Sequence, residues 1–198
     1  MYTALAEKFE CKDPTWLSVG SPMTFTGMDI SLYTEGEQLM YSMGQGRDLG
    51  DFLHAQAKGL SEEKLRENPM ADKRVLTDTA EISENQQSWC RSVIGGHYYA
   101  RGTRYDVSYA VSRVSHTRAL VNPNRGTVRA LEQIAGYLLK TQDFCLRDRA
   151  NPEVDNIIAM CDASHRGYRL INNRSQTGVI ICQRAGNTAM LTVGLGEY

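Results

Sequence analysis

The stretch Thr127-Val128-Arg129-Ala130-Leu131-Glu132-Gln133-Ile134-Ala135-Gly136-Tyr137-Leu138-Leu139-Lys140 sets the frame for the whole chain. Its apolar residues Val128, Leu131, Ile134, Ala135, Leu138 and Leu139 recur at three- and four-residue steps, the spacing of one buried helical face. Asn124 and Thr127 stand where a helix cap is needed, and Asn122-Pro123-Asn124 breaks the chain before it. Upstream, Trp89, Val93, Ile94 and His97 or Tyr98 repeat at the same spacing, as do Val107, Ala110, Val111 and Val114. Three amphipathic helices in succession predict a small helical unit over 87–142.

Further out the pattern changes. Met23–Tyr33 is rich in Thr, Phe and Ile and reads as a strand. Glu35-Gly36-Glu37 reads as a turn and Gln38–Met43 as a second strand, giving a β-hairpin. Gly46–Gly59 returns to helical spacing through Leu49, Phe52, Leu53 and Ala57, and residues 1–11 suggest a short helix. Residues 60–86 hold few large apolar side chains and predict an exposed polar linker. Beyond the polar stretch Asp143–Asn156, the run Ile157-Ile158-Ala159-Met160-Cys161 predicts a buried strand, with Thr177–Gln183 and Thr188–Val193 following. The expected fold class is therefore α+β. Its units are 1–59 with the hairpin, the linker 60–86, the helical unit 87–142, and the start of a second sheet over 155–198.

Composition narrows the function classes. The chain has 198 residues, 41% hydrophobic and 23% charged, ordinary values for a soluble globular protein. A net charge of -1 argues against gripping nucleic acid by bulk charge. Residues 91–129 nonetheless carry Arg91, Arg101, Arg104, Arg113, Arg118, Arg125 and Arg129 against one acid, Asp106. This basic island is open to two readings, a phosphate-facing surface or a solvated helical face. Tyr98, Tyr99, Tyr105 and Tyr109 are likewise candidates for stacking on nucleic acid or for the core edge. Five cysteines lie far apart with no C-x-x-C pair, which predicts reduced thiols and argues against a zinc site. No apolar run approaches the roughly 20 residues of a membrane span. The first ten residues lack the pattern of a signal peptide.

Three ordered segments resemble copia-type LTR retrotransposon Pol polyproteins. Glu7-Lys8-Phe9, then Phe25-Thr26-Gly27-Met28-Asp29-Ile30, is similar to the family's "E-K-F … F-L-G-I-x-I" passage after the polymerase palm. Cys90-Arg91-Ser92-Val93-Ile94-Gly95-Gly96-His97-Tyr98-Tyr99 and Thr103-Arg104-Tyr105-Asp106-Val107-Ser108-Tyr109-Ala110-Val111 resemble "Y-R-S-L-I-G-x-L-x-Y … T-R-P-D-I-x-x-A-V". Pro123 and Ala135-Gly136-Tyr137-Leu138-Leu139-Lys140-Thr141 follow in the family's order, "P … V-L-R-Y-L-K-G-T". Finally Cys161-Asp162-Ala163-Ser164-His165-Arg166-Gly167, with Asn173-Arg174-Ser175-Gln176-Thr177-Gly178, looks like the opening of the family's RNase H domain.

The resemblance implies a fragment of a reverse transcriptase polyprotein: a hairpin, a thumb- or connection-like helical unit, and an incomplete RNase H-like sheet. Its partners would be an RNA–DNA hybrid or template–primer duplex and the remainder of the polyprotein, in a cytoplasmic particle or the nucleus and without a membrane. Arg91, Arg104, Arg113 and Arg129 would contact phosphate, positioning a duplex without reading its sequence. Asp162 falls on the family's first nuclease aspartate, a ligand for Mg2+ or Mn2+; the alternative reading is an aspartate capping a strand end or turn. The metal would not be bound tightly by this fragment.

The chain also departs from the family. It contains no Tyr-x-Asp-Asp, the palm motif that holds metal for phosphoryl transfer. Ser164-His165 replaces an Asp-Trp pair, and Tyr105 replaces a proline. Glu197-Tyr198 stands near the family's next acidic motif, but the apolar Val193–Gly196 before it fits that motif badly and favours a chance acid. The alternative expectation is a non-catalytic nucleic-acid-binding or scaffold protein derived from a transposon.

Overall fold

The computed structural model describes residues 16–56, 66–70, 75, 77–115, 121–150, 156–164, 176–185 and 188–197; over the last three segments the backbone alone is described. The expected helix over 1–11 lies outside these residues. Among the described residues the architecture is α+β, with a four-stranded antiparallel sheet that is not closed into a barrel, four helices, and a separate three-stranded antiparallel sheet.

The first sheet runs β1 (Met23–Phe25), β2 (Met28–Glu35), β3 (Gln38–Gly44) and β4 (Leu146–Arg149), neighbour to neighbour in that order. The expected single strand over 23–33 is in fact two. Phe25 pairs with Met28 across the two-residue turn Thr26-Gly27, whose φ values of 49° and 75° are both left-handed. Such a turn matches the twist of its flanking strands and normally wants glycine or asparagine at both positions. Thr26 sits there against its preference, which is why the sequence reads straight through it. The second hairpin matches expectation: Glu35 pairs with Gln38 across Gly36-Glu37.

β4 departs from expectation. Leu146-Arg147-Asp148-Arg149 sits inside a polar stretch that reads as loop. It nevertheless pairs with β3 from Met43↔Leu146 to Met40↔Arg149, and the Ala150 N–H extends the ladder to the Leu39 carbonyl at 2.8 Å. Backbone pairing to an available edge, not side-chain pattern, makes this strand.

The helices are α1 (Gly46–Gln56), α2 (Glu84–Ala100), α3 (Ser108–Val114) and α4 (Arg125–Lys140), with one 3-10 turn at Tyr105–Val107. Capping boxes start the two long ones. Ser83 and Gln86 bond reciprocally at α2, and Asn124 accepts from the Thr127 N–H at 3.0 Å while Thr127 Oγ1 accepts from the Asn124 N–H at 3.3 Å. Each box satisfies backbone donors that the first turn would leave unpaired. Sequence reading offered Asn124 or Thr127 as the cap; the helix uses both.

One core joins all four helices. Leu49 and Leu53 of α1, Val93 and Ile94 of α2, Val107 and Val111, and Leu131, Ile134 and Leu138 of α4 are buried together. Gly96 lets α2 approach α1 closely, since a Cβ there would run into the Phe52 ring. The described part of the 60–86 region is not a free linker. Met70, Val75 and Ile82 lie against the core, and Gln133 Nε2 of α4 donates to the Asn68 carbonyl at 3.0 Å. The Gly126 N–H donates to the Asp78 carbonyl at 2.9 Å. Sparse apolar residues sufficed because the backbone itself docks.

The second sheet, in the order β5 (Asn156–Ser164), β6 (Gln176–Ala185) and β7 (Thr188–Glu197), carries the three expected strands, each longer than its apolar run. Among the described residues no helix is long and apolar enough to cross a membrane.

Candidate nucleic-acid interface

The basic island does not form one surface. Arg104 turns inward: its side chain is 3% exposed, and Nε and Nη2 clasp the two Asp106 oxygens at 3.0 and 2.7 Å. Nη1 donates to the Thr141 carbonyl at 2.9 Å and Nη2 to Thr141 Oγ1 at 2.6 Å. The guanidinium also lies over the Tyr137 and Phe144 rings, 5.5 and 5.4 Å from their centroids. A buried cation whose donors are engaged this way secures structure. It ties the turn after α2 to the end of α4, and the phosphate contact expected of it would require that lock to open.

Asp106 completes the lock by accepting from the Tyr137 hydroxyl at 2.7 Å. Burial pushes its carboxyl upward, but the hydrogen bonds from Arg104 and Tyr137 and the Arg104 charge outweigh that, leaving it below the ordinary aspartate value. Tyr137 shifts the other way, raised by burial and by the neighbouring carboxylate. The single acid of the basic island is thus the partner of Arg104, the one buried arginine among the island's described residues. That pairing of composition was the only sequence signal for the lock.

The remaining candidates are dispersed. Arg91 is exposed on α2. Arg113 on α3 is half-buried, and its Nε is enclosed with no hydrogen-bond partner. Arg129 is exposed on α4 and pairs with Asp78 at 3.3 Å; Arg125, one turn earlier, is exposed on the same side. Exposed pairs of this type contribute about 0–1 kcal/mol, so Arg129 can exchange Asp78 for a phosphate at little cost.

The tyrosines separate as well. Tyr99 donates its hydroxyl to the Thr26 carbonyl, fastening the end of α2 to the β1–β2 turn. Its neighbour Tyr98 is 40% exposed, and the Arg101 guanidinium covers its ring at 5.0 Å from the centroid. Tyr109 is exposed on α3 and Tyr105 half-buried.

An open groove of about 510 Å³ lies between β2, β3, α1 and the turn before β4, with Asp29, Asp51, Asp143 and His54 among its lining residues. Arg47 at its rim is held by Asp29 at 3.0 Å and approached by Asp48 at 3.8 Å. With Asp29, Asp51 and Asp143 lining the groove and its arginine already paired, a phosphate is disfavoured there. A divalent ion takes several oxygen ligands, and among the described residues no group of three or more His, Cys, Asp or Glu is placed to hold one.

Asp162 sits within β5, paired in register with Gly178 of β6, two residues short of the strand end rather than at it. No family model, no curated protein and no solved structure matches the chain.

Proposed function

We propose that the chain is part of a copia-type retrotransposon polyprotein, joining the end of the polymerase palm to the start of an RNase H-like sheet. In this reading it holds an RNA–DNA template–primer without carrying the polymerase chemistry, because the sequence contains no Tyr-x-Asp-Asp. The ordered motifs carry the proposal. One observation adds support: residues of two separate motifs close on each other, Arg104 with Thr141 and Asp106 with Tyr137. Segments under a common constraint are expected to meet in this way. Arg91, Arg113 and Arg129 are the residues proposed to face phosphate, and Asp162 would be the first ligand of the family's Mg2+ or Mn2+ centre.

The test is a titration of the purified chain with a labelled RNA–DNA hybrid at 50 and 200 mM salt. Two or three phosphate contacts predict an affinity loss of roughly tenfold or somewhat more between those conditions. Hybrid binding that is absent, or indifferent to salt, would refute the proposed role. Sequencing the transcript that contains this reading frame checks the ancestry, which requires a Tyr-x-Asp-Asp codon run upstream.

A further inference from the structure

We infer that the solvent face at the C-terminal end of α2 is a stacking platform for an unpaired nucleotide, so that the chain binds single-stranded nucleic acid there. The inference deepens the nucleic-acid reading above but rests on different residues. Tyr98 and Tyr99 are adjacent and both exposed, at 40% and 46%, but the Tyr99 hydroxyl is tied to the Thr26 carbonyl, while Tyr98 carries the Arg101 guanidinium over its ring. An exposed tyrosine braced by a guanidinium offers a base a flat, pre-oriented aromatic surface with a cation beside it for the phosphate.

The surroundings suit the same ligand. Gly95 and Gly102 flank Tyr98 at three residues before and four after, so helical spacing puts them on its face. Among the described residues no atom stands within 4 Å of where a Gly95 side chain would begin, and at Gly102 only the Tyr99 carbonyl approaches, at 3.6 Å. The ring therefore stands beside two positions that carry no side chain, with Arg101 over it. Arg101 supplies positive charge for an anion, on a helix that carries no Asp or Glu after Glu84. A duplex keeps its bases stacked on one another, whereas a single strand can turn one out onto Tyr98.

The experiment uses fluorescence anisotropy of the full chain with labelled (dT)20, (U)20 and the RNA–DNA hybrid, at 50 and 200 mM salt. Wild type is expected to bind a single strand, and Tyr98→Ala to weaken that binding by on the order of tenfold. Tyr98→Phe, which keeps the ring, should bind as wild type, and Gly95→Leu, which places a side chain beside the ring, should weaken binding. Equal unfolding midpoints for the variants show that the fold is kept. The two single strands distinguish DNA from RNA as the preferred ligand. If the hybrid binds and neither single strand does, or if Tyr98→Ala binds like wild type, the platform is overturned while the proposed function stands. Single-strand binding lost in Tyr98→Ala, with no hybrid binding, supports the platform and removes the template–primer role. No binding to any of the three overturns both.

Discussion

His97 should make this protein acid-labile well above the range in which its carboxylates titrate. The residue lies on the core face of α2 beside Val93, Ile94 and Ala100, fully buried, and neither ring nitrogen has a hydrogen-bond partner. Burial without a compensating acceptor disfavours the imidazolium and pushes the pKa from 6.5 down to about 3. The folded protein therefore keeps His97 neutral, while the unfolded chain takes up a proton below pH 6.5. Because the unfolded state binds more protons, stability falls as pH drops, over the window from 6.5 towards 3. Each pH unit well inside that window costs about 1.4 kcal/mol, so moving from pH 7 to pH 5 costs about 2 kcal/mol. That is a sizeable part of a marginal folding free energy. In urea, with a slope of about 2 kcal/mol per molar, the midpoint should move by about 1 M. The assay is equilibrium unfolding followed by circular dichroism at pH 7, 6 and 5, for wild type and His97→Leu. The variant removes the titrating group and fills the site with an apolar side chain. Its midpoint should depend on pH less than wild type's by that same 1 M, and its stability at pH 7 should not fall. Equal pH slopes in the two proteins would refute the reasoning.

Removing the Arg104 lock should cost about 3 kcal/mol in Arg104→Ala, which leaves Asp106 and the Thr141 carbonyl without their buried partner; Arg104→Lys should restore little, because a point charge cannot span both, and urea unfolding at pH 7 measures each. Gly96→Ala should lose roughly 1–3 kcal/mol through collision with Phe52, and adding Phe52→Leu should recover part of the loss in the same assay. Iodoacetamide labelling read by mass spectrometry should modify Cys145, which is partly exposed, well before Cys90. Burial pushes the Cys90 thiol up to about 11, so it should react only on unfolding, and Cys90 labelling at the rate of Cys145 under native conditions would contradict the core described above.

The helical half was legible from local pattern because each long helix must bury one stripe, and a stripe shows in spacing. Leu131, Ile134 and Leu138 announced α4, and Asn124 stands at its start, where the side chain reaches a backbone donor three residues on; the Ser83 cap of α2 fell inside the stretch read as linker. The hairpin at Gly36 was legible for the same reason, since a two-residue turn is a local event. β4 was not, because Leu146-Arg147-Asp148-Arg149 has no strand signature and becomes a strand by meeting the free edge of β3. Nor was the division of the arginines. Sequence listed Arg91, Arg104, Arg113 and Arg129 as equivalent cations on one basic stretch. Which of them faces water depends on where the end of α4 brings Thr141 and Tyr137, some 31 to 37 residues away. The sequence alone determined the helical stripes, the Asn124 cap and the α+β class, all governed by neighbours within a turn or two. Tertiary structure alone decided that Arg104 is spent on the fold and Tyr98 is left to the solvent, because burial of a charged or aromatic side chain depends on what the rest of the chain places around it.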